Sequence, residues 1–412
     1  MNLNTPKISI LIKNGGYHGL STLVDRGTFF LIFIVIGRYF GETELGKLST
    51  VLNLANVLQT ISDFGLSVLI QRESSRNPDA TLILRDSFIV KIFSAILLYP
   101  VVYLYALQIP EISIYYFTGI YASVALFGFT GLFFQYFAGV GRNKEYFVFQ
   151  FIPRILILLL FSLMIFLGNE NLILAVFFIP AMLQLILVLT SKIDRNNWFI
   201  ERIEIREFTK RLKRSYPIWL GLIFVMGYDK IDVLIISKYL GLKEAGIYFS
   251  SYTLIKSVIV FTSFYLVYYF SQLSKTYVSD KTEFKSNVKT SLKISLSLGI
   301  SLVLFFNLFA ESLLSLLYGE GFAQYSDVLQ LLSIAVIFII LNYNLGTILN
   351  AMDQSKIPMY GGGIAFTFNL IANLIFVPLY GYMAAVYITV LTELTMTTFL
   401  FIKLSARWRN LR

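Results

Sequence analysis

Long apolar stretches recur along this chain, separated by short polar intervals, and their length sets the first expectation. A membrane crossing needs about 20 mostly apolar residues in helical form. Read that way, the pattern predicts twelve crossings, near residues 14–37, 46–70, 87–107, 112–140, 146–168, 171–191, 216–238, 246–271, 288–309, 326–350, 358–378 and 381–402. The prolines at 153, 217, 358 and 378 fall near predicted ends or first turns, where a missing N–H costs least. Pro180 falls inside the sixth crossing and is expected to bend it.

Composition supports the same class. Hydrophobic residues make up 57% of the 412 positions and charged residues 14%, against about 25% charged in ordinary soluble domains. A water-soluble fold would expose much of that apolar surface, whereas a bilayer covers it. The run Ile8–Ile12 between Lys7 and Lys13 is short and no small-residue cleavage site follows it at signal-peptide distance, so the first long apolar segment is expected to be retained.

The charges test the count of crossings. With the even-numbered loops and both termini on one side, 24 of the 34 Lys and Arg residues fall there, and only Arg38, Lys47, Lys238 and Lys243 fall opposite. This asymmetry follows the positive-inside rule and predicts cytoplasmic termini. It also accounts for the net charge of +10 without nucleic acid as a partner. The longest connection, about 192–214, is basic and contains Trp198. It reads either as an amphipathic segment on the cytoplasmic lipid surface or as a solvated linker.

That segment separates two related halves: an N-terminal lobe over 1–191, the linker 192–214 and a C-terminal lobe over 215–412. Ile34-Val-Ile-Gly-Arg-Tyr-Phe-Gly41 resembles Leu234-Ile-Ile-Ser-Lys-Tyr-Leu-Gly241. The offset of 200 persists at Tyr39/Tyr239, Glu44/Glu244, Gly46/Gly246 and Leu54/Leu254. Each lobe would hold six crossings, so the second enters from the same side as the first. The predicted relation is a parallel repeat about the membrane normal, with a central cleft between the lobes.

Candidate chemistry is narrowed by what is scarce. There is no cysteine and one histidine, His18. Thiolate sites, disulfides, histidine-rich metal centres and Ser-His-Asp triads are therefore out of reach or nearly so. His18 itself reads as a satisfied polar contact near the start of the first crossing. Gly41-Glu-Thr-Glu-Leu-Gly46-Lys47 matches most of a phosphate-loop pattern, but Leu48 stands where Ser or Thr must hold magnesium, and no strand precedes it. A tight turn between crossings explains its glycines. Tyrosines such as Tyr103, Tyr115 and Tyr268 fit an interfacial aromatic belt.

Ionisable residues deep in the crossings are the informative ones, because each is costly unless paired or wet. The deep cations are Arg26, Arg154, Lys230 and Lys256, and the carboxylates are Asp25, Asp63, Asp229, Asp232 and Glu393. Lys91 and Lys293 sit near enough to the predicted cytoplasmic edge to snorkel. The deep charges read either as structural ion pairs, with Asp25–Lys230 and Arg26–Asp229 as pairings between halves, or as a functional set.

A family resemblance runs through nearly the whole chain. Gly37-Arg-Tyr-Phe-Gly41, Glu44-Leu-Gly46, Ser62-Asp-Phe-Gly65-Leu-Ser67 and Gln71-Arg-Glu73 carry it in the first half. Tyr239-Leu-Gly241, Ala245-Gly-Ile-Tyr248, Leu317-Tyr-Gly-Glu-Gly-Phe322 and the stretch from Asn350-Ala-Met-Asp-Gln to Pro378-Leu-Tyr-Gly381 carry it in the second. In order and spacing these motifs resemble the O-antigen and capsule repeat-unit flippases. Those are the Wzx-type branch of the multidrug/oligosaccharidyl-lipid/polysaccharide (MOP) exporter superfamily. The resemblance implies an all-α, multi-pass protein of the bacterial inner membrane with a multidrug-exporter-like fold. It also implies translocation of an undecaprenyl-pyrophosphate-linked oligosaccharide by alternating access, coupled to a proton or sodium gradient, with no organic cofactor. Its partners would be the lipid-linked substrate and bilayer lipid, with a polysaccharide polymerase and a chain-length regulator beside it.

In that setting Arg26, Lys230, Arg154 and Lys256 are expected to meet the pyrophosphate or acidic sugars. Asp25, Asp63, Asp229, Asp232 and Glu393 are expected to balance those cations or carry the coupling ion. Two rivals remain. A multidrug antiporter of the same superfamily would favour a more acidic cavity. A membrane polysaccharide polymerase would need a large periplasmic loop with catalytic residues, and the longest one on that side, about 310–325, holds only Glu311 and Glu320.

Overall fold

The computed structural model describes residues 5–77, 81–169, 172–193, 205–259 and 262–408. These residues form helices and no strand: α1 (Thr5–Asp63), α2 (Leu66–Arg76), α3 (Thr81–Ala106), α4 (Ile114–Gly139), α5 (Asn143–Leu167), α6 (Ile173–Leu189), α7 (Ile205–Tyr239), α8 (Leu242–Ile259), α9 (Thr262–Ser279), α10 (Lys281–Tyr318), α11 (Glu320–Ala323), α12 (Ser326–Ala351), α13 (Lys356–Tyr380) and α14 (Tyr382–Trp408). A bilayer leaves backbone groups no water to bond, and a helix satisfies them internally. Eight of these helices are long and apolar enough to cross a membrane, and α6 is a shorter apolar helix. Large apolar side chains stay exposed along them, as at Leu97 (78%) and Phe166 (86%), the surface that lipid covers. The chain is a multi-pass membrane protein.

Local chemistry sets several boundaries. Ser113 caps α4 by accepting from the Tyr116 N–H at 3.3 Å. Asp280 caps α10 by accepting from the N–H groups of Thr282 and Glu283 at 2.8 and 3.1 Å. α10 runs for 38 residues, about 57 Å at the helical rise, well beyond the ~30 Å hydrocarbon core. Its lysine-bearing first turns therefore extend past the apolar part. Helix α1 contains the first two predicted crossings, divided at Gly41 (φ 82°, ψ −175°). The equivalent Gly241, between α7 and α8, also has positive φ (119°). Both take backbone conformations that glycine alone adopts readily, which is the turn the repeated motif predicts. The predicted second crossing stops earlier than residue 70, because Phe64 (φ 49°) and Gly65 (φ 72°) break the helix before α2.

Two compact units emerge: residues 1–32 with 54–222, and residues 33–53 with 223–412. Relative to the lobes drawn from sequence, the turn segment 33–53 joins the later helices and the start of α7 joins the earlier ones.

In the first unit α4 packs on α2, α3 and α6, and α5 packs on α6. Leu66, Ile70, Leu84, Leu132, Phe133 and Phe137 form its core. The break in α1 is tied down by the start of α7. Ser215 Oγ donates to the Phe64 carbonyl at 2.9 Å, and Trp219 Nε1 donates to the Ile61 carbonyl at 3.0 Å. These bonds satisfy carbonyls that the interrupted helix cannot. Residues 194–204, including Trp198, lie outside the described residues, as does the side chain of His18.

In the second unit α12 is surrounded by α8, α9, α10 and α14, and α13 packs on α14. Its core includes Leu273, Phe284, Val288, Ile348, Leu349 and Leu400. Here the repeated turns meet. A Cβ built on Gly46 would overlap the Leu242 carbonyl oxygen, and one on Gly246 would overlap the Glu42 carbonyl oxygen. The contact is reciprocal at the sequence offset of 200, so 42–46 and 242–246 pair as a local two-fold. Arg38 closes the same region by donating to the Leu316 carbonyl near the end of α10.

Candidate substrate and ion sites

Among the described residues, the partners of Asp25 and Asp229 lie within their own units, on residues other than those the sequence suggested. In the first unit Asp25, on α1, accepts from Arg154, on α5, at 2.7 Å from Nε and 2.6 Å from Nη2. Both bonds go to one carboxylate oxygen. The guanidinium lies against the rings of Phe29 and Phe127, at 5.2 and 4.5 Å from their centroids. Arg154 is buried, and its Nη1 has no hydrogen-bond partner among the described residues. Arg26, the next residue after Asp25, is exposed and has no ion pair among the described residues.

The second deep pair is one that snorkelling did not anticipate. Lys91 on α3 is 1% exposed and bonds Asp63 at 2.7 Å. Asp63 also accepts from the Ser67 hydroxyl at 2.7 Å and from the Ser67 N–H at 3.3 Å, across the break between α1 and α2. Lys91 is therefore not reaching for water. It neutralises the carboxylate that ties the start of α2 to the end of α1. Arg85, counted with the loop cations in sequence, is likewise buried and bonds Asp86 at 2.6 Å. Lys293 is exposed, as a snorkelling lysine would be.

In the second unit one carboxylate serves two ammonium groups. Asp229 on α7 lies 2.6 Å from Lys256 on α8 and 3.0 Å from its neighbour Lys230. It also accepts from the Tyr252 hydroxyl at 2.7 Å, and Lys256 sits over the Tyr252 ring. Both lysine side chains keep 25% of their surface exposed. The triad carries one positive charge more than Asp229 cancels, an arrangement suited to an anion.

One turn along α7 the chemistry changes. Asp232 is 2% exposed and touches no cation among the described residues. It accepts from the Tyr248 hydroxyl at 2.6 Å, the Thr389 hydroxyl at 2.9 Å and Asn373 Nδ2 at 2.8 Å. Asn373 and Asn369 are buried one helical turn apart on α13, and neither side-chain carbonyl oxygen has a partner among the described residues. Glu393, also 2% exposed, accepts from Asn342 Nδ2 at 2.8 Å. The Asn342 Oδ1 accepts in turn from Thr397 at 2.8 Å. Oxygen-rich and lacking sulfur and imidazole, the Asp232 surroundings suit a hard cation or a proton. Among the described residues no three His, Cys, Asp or Glu side chains gather into a multivalent metal site.

Asp232 and Glu393 stand out in the sequence, whereas Lys91 reads there as a snorkelling lysine and Tyr248, Tyr252, Asn342, Asn369, Asn373 and Thr389 show no role. A signal existed. Asn369/Asn373 and Thr389/Glu393/Thr397 repeat every fourth residue, a polar stripe on an otherwise apolar helix.

Comparisons with known proteins agree with this architecture. A family model described as polysaccharide biosynthesis protein matches residues 11–258. No curated protein matches the chain. Among solved structures, an inward-facing multidrug resistance MATE family transporter of the MOP superfamily has a TM-score of 0.72 at 13% identity, with 94% of this chain and 95% of that one covered. The lipid II flippase MurJ, in an inward closed conformation, has a TM-score of 0.69 at 13% identity, with 94% and 87% covered. A MOP superfamily transporter from Pyrococcus furiosus, whose binding pocket is described as having reverse polarity, has a TM-score of 0.56 at 14% identity, with 97% and 94% covered. At these identities the likeness is one of fold.

Proposed function

We propose, from the premise that this chain belongs to the polysaccharide biosynthesis protein family, that it is a flippase for a lipid-linked oligosaccharide. The cargo is an undecaprenyl-pyrophosphate-linked O-antigen or capsule repeat unit, moved from the cytoplasmic to the periplasmic leaflet of a bacterial inner membrane by alternating access. In this reading the described helices make twelve crossings. The halves of α1, with α3 to α6, supply six, and α7, α8 with α9, α10, α12, α13 and α14 supply six. Both termini are cytoplasmic, as the distribution of Lys and Arg favours. The protein acts as a transporter rather than an enzyme, beside a polymerase and a chain-length regulator.

The observation that carries the proposal is the pair of lysines on one carboxylate. Lys230 and Lys256 share Asp229 and remain partly accessible. A pyrophosphate leaving water needs cationic partners of this kind. Arg26 adds a cation with no ion pair among the described residues, and Arg154 a donor with no partner among them. Asp25, Asp63 and Asp229 then balance cations. Asp232 and Glu393, which touch none among the described residues, are left for the coupling ion. The oxygens of Asn369 and Asn373, unpartnered among the described residues, favour sodium or a proton beside Asp232.

Deletion of the gene should make lipid-linked repeat units accumulate unflipped. A plasmid copy carrying Arg26→Ala or Lys230→Ala should fail to restore surface polysaccharide while the protein reaches the membrane at its normal level. Full complementation by both variants would remove the cations from substrate binding. Extrusion of a cationic drug, with polysaccharide unaffected by the deletion, would establish the antiporter reading in its place.

A further inference from the structure

On the first unit, α3, α4 and α6 enclose an apolar groove of about 420 Å³ that no residue role assigned above accounts for. Its volume lies within the ~300–1,000 Å³ typical of small-molecule pockets. Ala95, Ala122 and Ala125 provide the space, and Ile96 and Phe178, at 66% and 42% exposed, belong to the lipid-facing surface. Polar atoms in the groove satisfy one another. The Tyr99 hydroxyl bonds Thr118 at 2.9 Å, and the Tyr121 hydroxyl donates to the Ala95 carbonyl at 2.6 Å. What fills the groove therefore needs no hydrogen-bonding group; it is hydrocarbon.

Depth distinguishes one hydrocarbon from another. The lining residues on α3 are the twelfth to nineteenth of its 26, and those on α6 are the sixth to tenth of its 17. The groove thus sits near the middle of these helices. Arg154 is the twelfth of the 25 residues of α5, at the corresponding level. Helix α4 borders both: Leu126 and Phe129 line the groove, while Phe127 lies against Arg154. A phospholipid keeps its head at the edge of the ~30 Å hydrocarbon layer and brings only chain ends to this depth. A lipid whose anionic head is itself passing mid-depth must leave its tail in the hydrocarbon at that same level.

We infer that this mid-depth groove receives the isoprenoid tail of the lipid-linked substrate while its head crosses. The inference rests on the lipid-linked cargo proposed above. Small alanines leave room for a methyl-branched chain, and aromatic neighbours give it a smooth apolar wall.

The test is photolabelling of the full-length protein in phosphatidylcholine/phosphatidylglycerol nanodiscs, using a C55 polyprenyl diphosphate with a diazirine in its tail. Transport of lipid-linked repeat units is measured in parallel. Label should fall on residues 92–99, 118–129 and 178–182 and be competed by unlabelled C55 polyprenyl diphosphate, not by added phosphatidylglycerol. Ala122→Phe should lower labelling about fivefold or more and slow a C55-linked substrate, leaving a C15-linked analogue unaffected. If Ala122→Phe lowers abundance, Ile96→Trp on the lipid-facing side supplies the second variant. Label elsewhere, or equal competition by phosphatidylglycerol, overturns the groove's role even where transport is intact. A wild-type protein that neither labels with nor moves the polyprenyl substrate would overturn the cargo assignment and the groove's role together.

Discussion

Replacing Gly46 with alanine should loosen the contact between the two repeated turns, and its size follows from the geometry. The added methyl carbon would lie 2.8 Å from the Leu242 carbonyl carbon and 2.9 Å from the Gly246 nitrogen. Unstrained carbon contacts sit near 3.5–4.0 Å and the Leu242 carbonyl oxygen stands closer still than its carbon, so the segments must part by more than about 1 Å. The obstacle is backbone on both sides, which no rotamer change relieves. Overpacking of this kind costs about 1–3 kcal/mol, and the rigid neighbours place Gly46→Ala toward the upper end. The reciprocal contact gives a sharper expectation. A methyl on Gly246 would lie 2.8 Å from the Glu42 carbonyl carbon and 2.9 Å from the Gly46 nitrogen, so Gly246→Ala should cost as much as Gly46→Ala. Once either substitution has parted the segments, the second should cost less, giving a non-additive double variant. The assay is thermal unfolding of the purified protein, paired with crosslinking of cysteines introduced at Glu44 and Glu244. The chain has no native cysteine, so the crosslinking background is clean. Wild-type stability and crosslinking in Gly46→Ala, or unequal single effects with full additivity, would refute the reciprocal contact.

Two further expectations test other parts of the structure. Lys91→Met should destabilise the protein by about 3–5 kcal/mol, the usual cost of stranding one member of a buried ion pair; the double variant Asp63→Asn/Lys91→Met should recover much of that loss in unfolding experiments, and a double variant no better than Lys91→Met would count against the pairing. Reporter fusions after Arg76, Arg206, Lys281 and Arg412 should register cytoplasm, and fusions near Ile109, Asn169 and Glu320 should register periplasm; a periplasmic signal from Arg206 would break the twelve-crossing topology.

Hydropathy along the chain is a local property, and it determined most of what is local here. The membrane class, the approximate helix positions, the repeated glycine turns at 41 and 241 and the presence of deep charges are all legible without coordinates. So is the family, because its motifs are short runs of neighbouring residues. Partner choice is different. It depends on how each helix is rotated and which helix stands beside it, and a segment as uniformly apolar as α4 carries no stripe to indicate its inner face. Tertiary structure therefore decided that Asp25 meets Arg154, that Asp229 holds Lys230 and Lys256, and that Lys91 turns inward to Asp63 instead of outward to water. It also decided which polar side chains gather around Asp232. Asn369, Asn373 and Thr389 are ordinary residues in sequence, and they form one polar cluster because two later helices bring them to one carboxylate on α7. The groove on α3, α4 and α6 is an extreme case. Its alanines say only that three positions are small, and packing alone turns that smallness into space.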